Sequence, residues 1–272
     1  MVGTNKSLGQ HWLKNRAILE EIAELAKHGH IGGVNSAGVR SAEANSDKTE
    51  VDTCVEIGPG LGFLTSSLLK RFKRVIAVEY DQRLATNLPG SFPRKNLEVI
   101  NEDILKYNFS STPDEYVVAG NIPYYITSPI IEKVLTAEKL PVRVVLLMQK
   151  EVAERIISNK ETVLSLFVKN RAKATAGPVV KAAEFTPPPK VDSQVLVMEP
   201  LEAGPVVSDD VFELIRHGFR MPRKKLVHNL ADLHPKEGIV KMLTEIGISP
   251  DVRAGELHLD DWGELYNRID AA

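Results

Sequence analysis

The sequence predicts an α/β fold, a parallel sheet with helices on both faces, followed by a small all-α C-terminal domain. Two observations predict it. From Asp52 to Met148, strand-like apolar runs alternate with helical segments, the pattern of parallel strands joined by helical crossovers. After Pro205 the strand signal stops and only helical periodicity continues. A boundary near residue 203 therefore gives a first domain of 1–203 and a second of 204–272.

The elements follow in order. Arg16 to Lys27 places Ile18, Leu19, Ile22, Leu25 and Ala26 at helical spacing, one apolar face of a helix. His28 to Thr49 is rich in Gly, Ser and Asn and has no period, so a flexible insertion is expected over about 28–50. Strands are expected at Thr53–Ile57, Arg74–Glu79, Leu97–Asn101, Tyr116–Gly120 and Arg143–Met148, and a last pair at Val179–Phe185 and Ser193–Glu199. Pro187, Pro188 and Pro189 separate that pair; proline cannot donate to a central ladder, so they form a stiff connection. Helices are expected at Val211–Phe219, Arg223–Leu233, Lys236–Ile246 and Asp260–Ile269.

Composition narrows the function classes. The chain has 272 residues, a formal charge of −2 and a single cysteine, Cys54. One cysteine excludes an intramolecular disulfide and an all-cysteine metal site and suits a reducing compartment. The histidines show no paired helical spacing, so no metal is expected. Met1 to Gln10 lacks the basic-then-apolar order of a secretory signal, and the longest apolar run, Val144 to Met148, is far below the roughly 20 residues a membrane span needs. No membrane partner is expected, and the cytoplasm is the expected location. With a near-neutral charge, any nucleic acid must be met by local basic patches.

Three segments carry chemistry, each at the carboxyl end of an expected strand, where ligands of open parallel sheets bind. Glu56-Ile57-Gly58-Pro59-Gly60-Leu61-Gly62 leaves the first strand and opens a helix, the context of a nucleotide-binding turn. About twenty residues on, Glu79 ends the second strand, where a carboxylate accepts from both ribose hydroxyls. The Gly-x-Gly-x-Gly spacing differs from that of dinucleotide sites and gives less reason to expect a pyrophosphate. An adenosine carrying an amino acid fits better, and Asp103, ending the third strand, is placed to accept from the adenine amine. Glycines that merely make a tight turn are the alternative.

Asn121-Ile122-Pro123-Tyr124 follows the fourth strand. The N6 amine of adenine is a poor nucleophile because its lone pair is delocalised into the ring. An asparagine carbonyl and the backbone carbonyl preceding a proline can each accept one N6 hydrogen and turn that lone pair toward an electrophilic methyl on a sulfonium. Alignment then carries most of the catalysis, and Tyr124 would stack on the extruded base. Phe185-Thr186-Pro187-Pro188-Pro189-Lys190-Val191-Asp192-Ser193 forms a stiff loop in which Phe185 could supply a second aromatic face. A rigid hairpin with a buried Phe is the competing reading, as core aromatics are for Tyr124 and Tyr125.

Arg216, Arg220, Arg223, Lys224 and Lys225 lie within one helical stretch and its turn with no acidic residue between them. Such a cluster suits salt-sensitive phosphate contacts; a solvated helical face is the alternative. Lys6, Lys14, Arg16 and Lys190 could extend the positive surface.

Jointly, Lys6 to Leu13, Glu56 to Gly62, Asn121 to Tyr124, Gln149 to Val152, Phe185 to Ser193 and Arg223 to Leu230 resemble the small-subunit (16S) ribosomal RNA adenine N6,N6-dimethyltransferase family of the KsgA type. The resemblance implies a Rossmann-like S-adenosylmethionine-dependent methyltransferase domain with a small helical C-terminal domain. It implies cofactor contacts from His11, Leu13, Gly58, Glu79, Asp103 and Asn121, with Tyr124 and Phe185 around the target adenine. From the residues themselves, Gly60 is added to the cofactor contacts, Asn121, Pro123, Tyr124 and Phe185 are taken as catalytic, and RNA contacts are expected from Lys190, Arg216, Arg220, Arg223, Lys224 and Lys225. The implied substrate is a pair of adjacent adenosines in a hairpin near the 3′ end of small-subunit RNA, met by a monomer on an immature 30S-type subunit. The sequence departs from that pattern at His11, where many members carry Asn, in the longer 28–49 stretch, and in a shortened Ile156 to Glu161 segment without the family's Tyr-Gly pair. A large-subunit adenine methylase, a non-catalytic RNA-binding factor and a NAD-dependent dehydrogenase are the alternative classes. The proline-rich segment, the intact strand-end residues and the glycine spacing respectively weigh against them.

Overall fold

The structure, a computed structural model, describes residues 10–28, 51–93, 95–112 and 115–271. The expected insertion beyond His28 and the Lys6 to Gly9 segment lie outside the described residues. Contacts divide the chain into two compact units, one of residues 1–153 and 175–200 and the other of 154–174 and 201–272. A single cut near residue 203 does not describe this division, because the helix preceding Ala172 packs among the C-terminal helices.

In the first unit, strand β1 (Trp12–Leu13) leads into helix α1 (Arg16–His28), which buries Leu19, Ile22, Ala23, Leu25 and Ala26. There follow β2 (Thr53–Ile57), α2 (Phe63–Leu68), β3 (Arg74–Glu79), α3 (Gln82–Ser91), β4 (Leu97–Asn101), β5 (Tyr116–Asn121), α4 (Thr127–Leu135), β6 (Arg143–Gln149) and α5 (Lys150–Ile157). Beyond α6 (Val163–Arg171) come β7 (Ala172–Val180), β8 (Phe185–Thr186) and β9 (Ser193–Pro200). Among the described residues seven strands form one sheet in the order β4-β3-β2-β5-β6-β9-β7. The strands from β4 to β6 are parallel, and β9 runs antiparallel to β6. β2, β5 and β6 are buried along almost their whole length, as expected of strands covered on both faces.

The chain moves outward from β2 to β3 and β4, then returns to β5 on the other side of β2. That reversal opens a crevice beyond the carboxyl ends of β2 and β5. Register places Ile57 beside Val78 and Gly120, Glu79 beside Asn101, and Asn121 beside Leu147, so the three motif segments leave the sheet at one edge.

Two features depart from expectation. The expected strand Val179–Phe185 is instead the end of β7, a 3₁₀ turn at Ala182–Glu184 and the short β8. β1 pairs antiparallel with β8, Trp12 opposite Thr186 and Leu13 opposite Phe185. This two-stranded ribbon ties the N-terminal segment to the proline-rich loop.

The second unit contains α6, α7 (Asp209–Gly218), α8 (Leu226–Asn229), α9 (Lys236–Glu245) and α10 (Leu259–Asp270). α7 buries Val211, Phe212, Leu214, Ile215 and Gly218, one helical face. Phe167 meets Phe212 edge-on at 5.6 Å, and Trp262 is fully buried. Glu161, almost wholly buried, pairs with Lys169 at 2.6 Å and accepts from Ser165 Oγ at 2.7 Å. The expected helix Arg223–Leu233 shrinks to the four residues of α8. Pro222 and a turn precede it, and Asn229 donates to the carbonyls of Gly218 and Met221, which holds the chain in a loop rather than a continuing helix.

Candidate active site

One cavity of about 360 Å³ gathers the strand ends. Its wall includes His11, Leu13, Gly58, Gly60, Glu79, Asp103, Asn121, Pro123 and Tyr124. Every cofactor-contact residue expected from the sequence thus lines a single space, together with three of the four expected at the target base.

The turn after β2 is built for close approach. Gly60 has φ +58, a left-handed conformation in which a Cβ is strained, and a Cβ there would stand 3.3 Å from Trp12 Nε1. Its N–H donates to Glu79 Oε2 at 3.0 Å, while Glu79 Oε1 accepts from Asp81 N–H at 2.8 Å. Glu79 is therefore oriented at both oxygens, and burial raises its pKa above the ordinary carboxylate value. Asp103 Oδ1 accepts from Leu105 N–H at 3.0 Å, leaving Oδ2 to accept from a ligand.

At the end of β5, Asn121 Nδ2 donates to the His11 carbonyl at 2.9 Å. That bond fixes which way the amide points, so Oδ1 is the atom left to accept. Tyr124 is half-buried, its hydroxyl 2.6 Å from Ser193 Oγ, and burial raises its pKa. The His11 ring stacks beside it, centroids 5.8 Å apart and planes 21° from parallel.

Phe185 is elsewhere. It is 3% exposed and packed in the core with Leu13, Leu19 and Val195, because pairing in the β1–β8 ribbon turns its ring inward with Leu13. Lys190 is exposed and away from the cavity wall. Arg216, Arg220, Arg223, Lys224 and Lys225 are all exposed on the second unit. Acidic residues from other turns reach three of them, in the pairs Arg216–Glu213, Arg220–Asp232 and Lys225–Asp251. Arg223 and Lys224 have no ion pair among the described residues.

Several lining residues were not singled out by sequence. Tyr80 and Tyr125 stand exposed at the wall, each the neighbour of a motif residue but in no recognisable pattern of its own. Glu56 is 1% exposed with Oε2 unpartnered. Burial, together with the Glu79 charge, pushes its pKa up to about 8. Its place before the glycine turn was the available signal. Among the described residues no His, Cys, Asp and Glu side chains group to hold a metal ion, and no helix is long and apolar enough to cross a membrane.

The chain is similar in sequence and fold to known proteins. A family model described as ribosomal RNA adenine dimethylase matches residues 1–271. A "Ribosomal RNA small subunit methyltransferase A" of Bacillus cytotoxicus is 36% identical over 97% of this chain and 90% of its own length. Its namesake in Dehalococcoides mccartyi is 34% identical over 96% and 86%. A crystal structure of a dimethyladenosine transferase from Plasmodium falciparum superimposes with a TM-score of 0.75 at 28% identity, covering 96% of this chain and 98% of that one. The 23S rRNA methyltransferase ErmE shares the fold, with a TM-score of 0.69 at 24% identity over 95% and 99% of the two chains. Matched along its length by sequence and by a Rossmann-like methyltransferase fold, the chain belongs to the ribosomal RNA adenine dimethylase family.

Proposed function

We propose that this chain transfers methyl groups from S-adenosylmethionine to N6 of two adjacent adenosines in a hairpin near the 3′ end of small-subunit (16S) ribosomal RNA. The product is N6,N6-dimethyladenosine, made during ribosome biogenesis by a cytoplasmic monomer acting on an immature 30S-type subunit. The observation that carries the proposal is the single cavity onto which Glu79, Asp103 and the Asn121–Tyr124 loop all open.

The wall fits the methyl donor. Glu79 suits ribose hydroxyls and Asp103 an adenine amine, while the Gly58–Gly60 turn, left-handed at both glycines, admits a backbone-close ligand. Leu13 and His11 close the far side. When bound, the donor supplies a methyl group activated by a sulfonium.

The chain's own residues do the rest. Asn121 Oδ1, held outward by the Nδ2 bond to His11, accepts one N6 hydrogen, and the Ile122 carbonyl accepts the other. The nitrogen lone pair then leaves conjugation and faces the methyl. Pro123 fixes the loop at φ −62, and Tyr124 stacks on the flipped base, a contact worth roughly 1–3 kcal/mol. Positioning of this kind can lower a barrier by on the order of 7–11 kcal/mol. Lys190, Arg216, Arg220, Arg223, Lys224 and Lys225 meet RNA phosphates.

The test incubates the protein with labelled S-adenosylmethionine and, separately, immature small subunits and large-subunit RNA, then maps the modified nucleotides. Adjacent dimethyladenosines near the 3′ end of the small-subunit RNA are expected. Label confined to large-subunit RNA would replace this proposal with a large-subunit methylase.

A further inference from the structure

We propose that Tyr125 is the stacking platform for the nucleotide next to the target adenosine, so that the rim of the cavity holds the RNA strand while Tyr124 holds the flipped base. This rests on the functional proposal above and adds to it a residue that grips the strand rather than the reacting base.

Exposure singles the residue out. Among the described residues the two most exposed large apolar side chains are Tyr80 at 65% and Tyr125 at 62%, and both stand at the wall of the same cavity. Tyr80 follows Glu79, on the side assigned to the methyl donor. Tyr125 follows Tyr124, on the side assigned to the base. The Tyr125 side chain makes no hydrogen bond and no ring contact among the described residues. An aromatic side chain buries about 150–250 Å² when it is covered, so a ring left in water at the mouth of a site is a ready source of affinity.

The backbone beneath the ring is fixed. Tyr124–Ile126 form a 3₁₀ turn, in which the Ile126 N–H donates to the Pro123 carbonyl at 3.3 Å and Thr127 Oγ1 donates to the Tyr124 carbonyl at 3.2 Å. With three residues per turn, neighbouring side chains leave such a helix about 120° apart. The two tyrosines therefore do not lie on one base. Tyr124 is half-buried, its hydroxyl 2.6 Å from Ser193 Oγ, and Tyr125 faces solvent.

An RNA strand supplies what the outer ring lacks. A base that reaches the Asn121 acceptor must leave the stack of its strand. Its neighbours each lose a stacking partner, while the continuous backbone keeps them at the cavity rim. An aromatic ring at that rim replaces the lost partner, and every base offers it a π face. Tyr125 thus sets how the strand is held, not which nucleotide reacts. With adjacent target adenosines, one of the pair rests on Tyr125 while the other is methylated.

The test measures binding by full-length protein, with saturating S-adenosylhomocysteine, of a small-subunit hairpin that is intact or lacks the base on the 5′ or the 3′ side of the target adenosine. Y125A should weaken binding of the intact hairpin at least about fivefold, the lower end of the range for one base–aromatic stack. On one of the two abasic hairpins Y125A and the wild-type protein should bind alike. Y125F, which keeps the ring, should match the wild-type protein on every hairpin. Y125A that binds the intact hairpin as the wild-type protein does, or that loses as much on both abasic hairpins as on the intact one, would overturn the proposal. Y125F as weak as Y125A would make the hydroxyl the contact and overturn it as well. A wild-type protein that methylates no small-subunit RNA would overturn the functional proposal itself, an outcome read before any Tyr125 variant is made.

Discussion

Asn121 shows how one side chain can be committed at one end and available at the other. Its Nδ2 is spent on the His11 carbonyl, so Oδ1, the proposed acceptor, is oriented before any substrate arrives. Replacing it with Ala removes the acceptor and the brace together. N121A is expected to lower single-turnover methylation by at least about a hundredfold, the scale of a misaligned reacting pair, with RNA affinity within about twofold, measured by filter binding. Methylation near the wild-type rate would contradict the acceptor role. Glu56 makes a prediction of a different kind. Its folded pKa, raised by burial to about 8, lies above the unfolded value near 4.5, so the folded state holds the proton more tightly. Stability from this group is full at low pH and is lost as pH rises from about 4.5 through 8. E56Q, neutral throughout, should therefore gain thermal stability over the wild-type protein progressively across that window, measured by melting at pH 5, 6.5 and 8. A gap that shrinks with rising pH would refute the assignment.

Elements act here by bringing distant residues together. The β1–β8 ribbon is only two residues deep on each side, yet it carries His11 and Leu13 to the cavity. A two-residue strand has no period, and for that reason it was invisible in the sequence. β7 was unrecognised for a related reason: Gly177 and Pro178 interrupt its alternation, which marks a sheet margin rather than a central strand. The central strands were legible, because Thr53–Ile57, Arg74–Glu79 and Leu97–Asn101 are short apolar runs bounded by turn residues. Glu20 of α1 pairs with Lys70 and Arg71 in the turn that follows α2. Hydrogen bonds from Lys70 and Arg71 lower its pKa to about 2. That stabilisation is present above about 4.5 and is lost as pH falls toward 2, so E20Q should erase the difference from the wild-type protein in acid while melting lower at pH 7. The 218–225 loop, pinned by Asn229, leaves Arg223 and Lys224 without acidic partners among the described residues. Replacing both with Gln should weaken RNA binding at low salt and reduce the slope of log affinity against log salt by about 1.4–1.8, or 0.7–0.9 per lost phosphate contact. An unchanged slope would remove this loop from the RNA interface.

For the whole molecule, the strand order determines where chemistry can occur. Motifs spread from His11 to Tyr124 in sequence open onto one cavity because the sheet reverses direction between β2 and β5. The alternation of strands and helices made the parallel sheet and the placing of the motifs at its strand ends legible, but not the strand order that reverses between β2 and β5. Phe185 was not placed correctly from sequence, since a phenylalanine in a proline-rich loop reads equally as clamp or core until its ladder partner, Leu13, is known. Asp232 and Asp251, which pair with Arg220 and Lys225, lie 12 and 26 residues away and were not connected to the basic cluster by local spacing, whereas Glu213 stands one helical turn before Arg216. The most direct measurement is a crystal structure of the protein with S-adenosylhomocysteine and an adenosine-containing hairpin. The account predicts the donor sulfur and the adenine N6 facing each other across Asn121 Oδ1, with Glu79 on the ribose. A donor bound in the cavity with its sulfur turned away from the Asn121–Tyr124 loop would contradict it.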